Sequence, residues 1–202
     1  IRFISKEYAN THKGVLGIDV GASSTAVAAG FLGDLTLSIH TQLGLGLNLP
    51  QMLRLCKLED IQRWLPIEIP NHELLDYMHN KAAYPGSLPA SPTELAIEQA
   101  LACQAAHLAV RQTMQYNPPQ CPHTYPDFLP AFEPIIASGS AFTHAPNRGQ
   151  ALLMLLNALQ PTGITTLALD RNNLAAVLGA AATVAPVLTV QSLDSTNFLN
   201  LC

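Results

Sequence analysis

Three short apolar runs open the chain, at residues 15–20, 25–29 and 35–39, and glycines at 21, 30 and 33 punctuate them. Runs of this length with turn residues between them predict a meander of three antiparallel strands. From residue 48 to residue 82 the pattern turns helical in pieces. Pro50 suits the first turn of PQMLRLC, EDIQRWL adds a turn or two, and prolines separate the pieces. The longest helix is announced by SPTE, residues 91–94, where Ser91 can cap, Pro92 fits the first turn and Glu94 can reach back to the cap's N–H. It is predicted to run to about Tyr116. A proline every few residues forbids a regular helix or central strand over 117–134, which reads as a connector or lid. Beyond it the pattern predicts a strand over 134–137, a helix over 149–159, a strand over 164–169, an Ala-rich helix over 172–184 and a closing strand over 187–191.

Strands first, then strand and helix in alternation, indicate an α/β fold with a mixed sheet layered by helices. The 202 residues, 49% hydrophobic and 12% charged, suffice for one ordinary core and are short for two. The expectation is a single domain over 1–202 carrying a helical insertion at about 48–116; no internal repeat is visible. A net charge of -4, with no cluster of Lys or Arg, disfavours nucleic acid as a partner. No apolar run approaches the roughly 20 residues of a membrane span, and the start IRFISKEYAN lacks a signal peptide's basic-then-apolar order. The chain therefore reads as soluble and cytoplasmic. Its four cysteines, 56, 103, 121 and 202, form no C-x-x-C pair and read as free thiols. The opening residue is Ile, which suggests a piece excised from a longer chain.

Candidate chemistry starts in GVLGIDVGASSTAVAAG, residues 14–30. A turn that grips phosphate needs glycine where an oxygen approaches and hydroxyl or N–H groups aimed inward. Asp19, Gly21, Ser23, Ser24 and Thr25 supply those parts, and an acid among phosphate ligands is tolerable if it holds Mg²⁺, often through water. By itself D-x-G-x-x-x-T is a weak signal and reads first as an ordinary hairpin with a hydroxyl-rich turn. Two further stretches follow in order: IIASGSAF, residues 135–142, a strand ending in a glycine turn, and LDRNNLAAVLGAAA, residues 169–182, an acid leading into a small-residue helix.

In that order IDVGASST, IIASGSAF and LDRNNLAAVLGAAA resemble the second phosphate motif, the adenosine motif and the second connecting helix of the actin, heat-shock chaperone and sugar kinase superfamily of ATPases. Within it, DVGASST, SGSAFTHAP, QALLMLLNALQP and LALDRNNLAAVLGAAA are similar to the glutamate mutase L family of accessory proteins. The resemblance covers nearly the whole chain and implies the second half of an actin-like ATPase fold, with a ribonuclease H-like mixed sheet. Its relatives resemble reactivating factors, ATPase-like chaperones that help adenosylcobalamin enzymes exchange a damaged cofactor. It further implies ATP or ADP with Mg²⁺ in a cleft of which this chain forms one wall, so that the chain does not turn over ATP alone. Asp19 would position the Mg²⁺. The backbone of Gly21, Ala22, Ser23 and Ser24, with the side chains of Ser24 and Thr25, would hold β or γ phosphate, and Gly139 with Ser140 would pass beneath the adenosine. The N-terminal half of the same protein, a cobalamin-dependent mutase and a second copy of the chain are the implied partners. Asp170 and Gly179 read as structural, the first ending a strand and the second letting helix and sheet approach.

Ala22 and Ser140 stand where the pattern has paired glycines, and Ala26 stands where relatives often carry an acid. A Cβ at a left-handed backbone position costs about 1 kcal/mol or more, so the two changes suggest a weakened nucleotide site. That leaves open a non-catalytic interaction domain of the same fold and, ranked last, a small-molecule kinase or hydantoinase-type hydrolase, for which this half shows no general base.

Elsewhere, His72, Asp76 and His79 share one helical face and could bind zinc, but Leu74, Leu75 and Met78 opposite them make an amphipathic surface helix capped by Asn71 the simpler reading. Cys121 with His123 reads as chance proximity, His40, His107 and His144 lack chain-local partners, and Trp64 reads as a core or interdomain plug. The resemblance makes one spatial demand: the loop joining the first pair of strands and the turn after Ile136 must converge in space, at neighbouring strand ends.

Overall fold

The computed structural model describes residues 1–7, 13–117, 119, 129–194 and 198–200. Its centre is one sheet of six strands: β1 (Gly14–Val20), β2 (Thr25–Phe31), β3 (Asp34–His40), β4 (Phe132–Ser138), β5 (Leu167–Asp170) and β6 (Phe198–Asn200). They lie in the order β3-β2-β1-β4-β5-β6. β1, β2 and β3 form the antiparallel meander, β4 joins β1 in parallel, β5 joins β4 in parallel, and β6 closes the far edge antiparallel. The helices are α1 (Arg2–Glu7), α2 (Leu58–Gln62), α3 (Asn71–Ala83), α4 (Pro92–Tyr116), α5 (Ser140–Thr143), α6 (Arg148–Leu159), α7 (Ala175–Ala181) and α8 (Pro186–Asp194).

Alternation along β1 divides the molecule. Leu16, Ile18 and Val20 point to one side, where they join Val27, Ala29 and the buried stripe of α4 in the main core. Ala102, Ala105, Ala106 and Ala109 keep that stripe thin, so the 25-residue helix lies close against both sheet and α6. Its start forms as the sequence predicts: the Ser91 hydroxyl accepts the Glu94 N–H at 3.1 Å. The Glu94 carboxylate reaches one residue further back than expected, to the Ala90 N–H at 2.6 Å. α3 docks on α4 through a buried polar knot, in which Lys81, 6% exposed, pairs with Glu98 at 3.1 Å while the Tyr77 hydroxyl donates to the same carboxylate at 2.7 Å. Burial and the Glu98 charge hold the Tyr77 phenol well above its ordinary pKa.

Several expectations are corrected. Residues 187–191 are helical, within α8: Pro186 opens the helix, and the buried Thr189 hydroxyl ties it to α7 through Leu178 O and also reaches Ala185 O just before the helix. Tertiary contact thus overrides the β-branched composition. Asn71 does not cap α3; it is the first helical residue, and its side-chain oxygen accepts from Gln62 at 2.7 Å. β5 begins at Leu167 and α7 at Ala175, later than predicted. The end of the proline-rich stretch enters a central strand, because β4 begins at Phe132. Pro134 lacks an N–H, and the β1–β4 register jumps around it, from Gly14↔Phe132 to Leu16↔Ile135. Most of 117–134, with Cys121 and His123, lies outside the described residues. No helix among the described residues is long and apolar enough to cross a membrane.

The β2–β3 turn carries a local conflict. Both of its central residues have positive φ, Leu32 at 50° and Gly33 at 90°, as a tight hairpin turn requires, yet Leu32 is branched and 56% exposed. Leu32→Asn is expected to raise unfolding stability by about 1 kcal/mol, read from the urea midpoint at unchanged slope. A neutral or lower midpoint would mean that Leu32 makes contacts worth more than its backbone strain.

Candidate functional site

The carboxyl ends of β1, β4 and β5 lie side by side, and β1 is where the sheet changes from antiparallel to parallel neighbours. Ligands of open α/β sheets bind outside such ends. Asp19 is paired in register with Ser138, and Asp170 terminates β5.

After β1 the chain makes a small closed loop. Gly21 donates its N–H to Ser24 O at 3.0 Å. The loop is held from outside by a strap, residues 43–46, that follows β3: Leu45 N–H donates to Gly21 O at 3.0 Å and Gly46 N–H to Ala22 O at 2.8 Å. Thr25, fully buried, donates its hydroxyl to Leu43 O at 2.7 Å. Thr25 therefore supports the loop from beneath, and its hydroxyl does not face a ligand at the exposed Ala22–Ser23 tip. Gly44 and Gly46 are required by closeness: a Cβ on Gly44 would stand 2.5 Å from the Ser23 carbonyl carbon, and one on Gly46 2.8 Å from Ala22 O. The repeated glycines of LGLGL, residues 43–47, are the sequence signal of this close approach.

After β4 the chain turns at Gly139, φ 107°, and enters α5 at Ser140. A Cβ on Gly139 would collide with the Val20 carbonyl oxygen. The turn thus rests directly on the end of β1, and the two loops converge as the resemblance demands. Ala22 and Ser140 do not adopt positive φ; among these positions only Gly139 does. The expected backbone strain from the two missing glycines is absent, because Ala22 sits in the strapped loop with ordinary dihedrals and Ser140 is already the first residue of a helix.

Two carboxylates meet at this edge with different tasks. Asp170 is buried and accepts the N–H groups of Leu174 at 2.9 Å and Ala175 at 2.7 Å, so it caps α7, a structural role. Asp19 carries no such cap. Partial burial raises its pKa above the ordinary carboxylate value; a hydrogen bond with Ser138 pulls the other way, and the charge of Asp170 adds to the rise. Ser138 Oγ lies 2.8 Å from Asn173 Oδ1, which links β4 to the turn before α7.

Asp19 and Ser138 line a groove of about 390 Å³ on the sheet face opposite α4, together with Arg2 of α1, Ala28, Leu37, Ile136 and Leu178. Gly179 also borders this groove, and a Cβ there would meet nothing within 4 Å, so it does not serve close packing of helix on sheet. Leu37 and Ile39 on the same side remain 53% and 62% exposed.

The remaining candidates are structural or distant. His72, Asp76 and His79 are exposed on α3 while Leu74 and Met78 are buried beneath it. His40 bonds Thr113 at 3.0 Å, His107 bonds Ala158 O at 2.9 Å, and exposed His144 lies 3.1 Å from Thr143 Oγ1. Trp64 packs against the core and donates to Gln104 at 2.7 Å. Cys56 and Cys103 are free thiols, and burial pushes Cys103 up to about 12, which keeps it unreactive.

A family model described as MutL protein matches residues 1–196. No curated protein matches the chain.

Asp19 gives the site a pH signature. With its pKa raised in the fold, the native state holds a proton where the unfolded chain has already lost one, so stability falls as pH rises between the two values. Asp19→Asn removes that loss. The variant is expected to be more stable than the parent at pH 7, with the gap closing below about pH 4, the ordinary carboxylate range. Urea melts at the two pH values decide; a less stable variant at pH 7 would show that the fold needs the charged form.

Proposed function

The chain belongs to the MutL protein (glutamate mutase L) family, and on that premise we propose that it is the second, nucleotide-facing half of an ATPase-like accessory protein serving a cobalamin-dependent mutase. The observation that carries this reading is the convergence of the strapped Gly21–Ser24 loop and the Gly139 turn beside Asp19. We read the meander-first mixed sheet as the ribonuclease H-like half of an actin-like fold.

The residues present fit a magnesium nucleotide. A partly desolvated carboxylate near a second negative charge is relieved by a divalent cation. The strap consumes the carbonyl oxygens of Gly21 and Ala22, so the tip offers N–H and hydroxyl groups, which suit an anion, in preference to lone pairs. Asp19 would hold Mg²⁺, the backbone N–H groups of Ala22–Ser24 with the Ser24 hydroxyl would hold phosphate, the Gly21 N–H being taken by Ser24 O, and Gly139 with Ser140 would underlie the adenosine. The bound nucleotide supplies a polyanion whose charge differs between ATP and ADP. The chain's own part is to keep the loop rigid and to favour one arrangement of the two halves over another. No general base is assigned to this half, so hydrolysis requires the companion half.

The apolar face bearing Leu37 and Ile39 supports a second reading, in which the domain docks a partner and has dropped the nucleotide. The companion half, or a second copy of the chain, would cover that face under either reading.

Calorimetric titration of the full-length protein with ATP or ADP and Mg²⁺ separates them. Asp19→Ala is expected to weaken binding at least tenfold, about 1.4 kcal/mol, and to abolish its Mg²⁺ dependence. Equal affinity in parent and variant, or no binding in either, would favour the docking domain.

A further inference from the structure

Gly46 of the strap is approached by both the Gly21–Ser24 loop and the turn that follows α3. A Cβ on Gly46 would stand 2.8 Å from Ala22 O and 3.1 Å from Pro85 Cβ. Pro85 lies in the turn that follows α3, closed by the Ser87 N–H donating to Tyr84 O at 2.9 Å. That turn is tied down from within: Lys81 Nζ donates to Ser87 O and pairs with Glu98 of α4, the carboxylate that also accepts from Tyr77. Lys81 is almost wholly buried, and a buried ammonium persists only where such partners are fixed around it.

We propose that Gly46 and the turn braced by Lys81 are positioning elements for the Gly21–Ser24 loop, so that a displacement of the insertion is transmitted to the loop through the strap. The mechanical chain runs from Glu98 to Lys81, to the turn at 84–87, to Gly46, and to Ala22 O. Every link is a hydrogen bond, an ion pair or a close approach, and none depends on a nucleotide. Elements packed this closely shift together, because interiors are dense and yield little. The consequence for the loop as a phosphate site rests on the reading of the previous subsection; the coupling itself does not.

Amide hydrogen exchange at Leu45 and Gly46, whose N–H groups donate to Gly21 O and Ala22 O, reports the strap directly. In the full-length protein, Pro85→Gly removes an exposed ring from the turn without touching the core. It is expected to speed exchange at both amides about tenfold while exchange at Ile136 and Ala137 in β4 stays unchanged. Lys81→Met is expected to do the same more strongly if it folds, and Pro85→Gly decides alone if it does not. Unchanged exchange at Leu45 and Gly46, or a rise shared equally with β4, overturns the proposal. Magnesium nucleotide affinity measured on the same variants forms a separate arm. If exchange responds and affinity does not, the coupling stands and the phosphate role of the loop falls.

Discussion

The structure depends on the parallel pairing of β1 with β4. Their strand ends are separated by 111 residues of chain from Gly21 to Ala131, yet the register places Asp19 against Ser138 and seats the Gly139 turn on the Val20 carbonyl. Neither loop alone is distinctive. Joined at a sheet's change of direction, they enclose an edge with one capped carboxylate, one uncapped carboxylate and a strapped turn. Everything proposed about ligands follows from that juxtaposition. The pairing in turn requires the bulge around Pro134, because a continuous ladder would leave the missing N–H opposite β1.

The two sides of the sheet are finished unequally. On one, α4 and α6 complete a core in which Leu16, Phe132, Ile135 and Phe142 are almost wholly excluded from water. At about 25 cal/mol per Å² of apolar area removed from water, such a side holds the fold together. On the other, α1, α7 and α8 leave a groove and two well-exposed aliphatic side chains on β3. Asp19 opens onto this less finished side. A charge there is tolerable because Asp19 is exposed and keeps much of its hydration, while the burial that remains raises its pKa.

The insertion between β3 and β4 contributes more than α4's packing surface. Its strap and its braced turn bear on the loop from the side, so loop geometry is set by residues well downstream in the chain. Buried Lys81 illustrates the logic. It would be costly as a lone charge, but with Glu98, Tyr77 and the Ser87 carbonyl around it the insertion acquires a fixed internal reference.

By itself the sequence determined what is encoded locally. The meander, the Ser91 cap, the length of α4 and the glycine turn after β4 follow from periodicity, turn chemistry and capping, all of which operate over a few residues. The family was legible in the same way, from short motifs in a recognisable order. Tertiary structure decided the rest. VLTVQ became helical because Thr189 packs on α7, Thr25 turned inward because Leu43 O was waiting for its proton, and Ala22 and Ser140 escaped strain because their backbones are not left-handed. Gly179 found open space where close packing was anticipated, and Gly44 and Gly46 proved to be the glycines that contact demands. Where contact decides, as at Thr25, Gly44 and Gly46, it joins the loop to a strap lying beyond two intervening strands, to which a pattern read over a few neighbouring positions is blind.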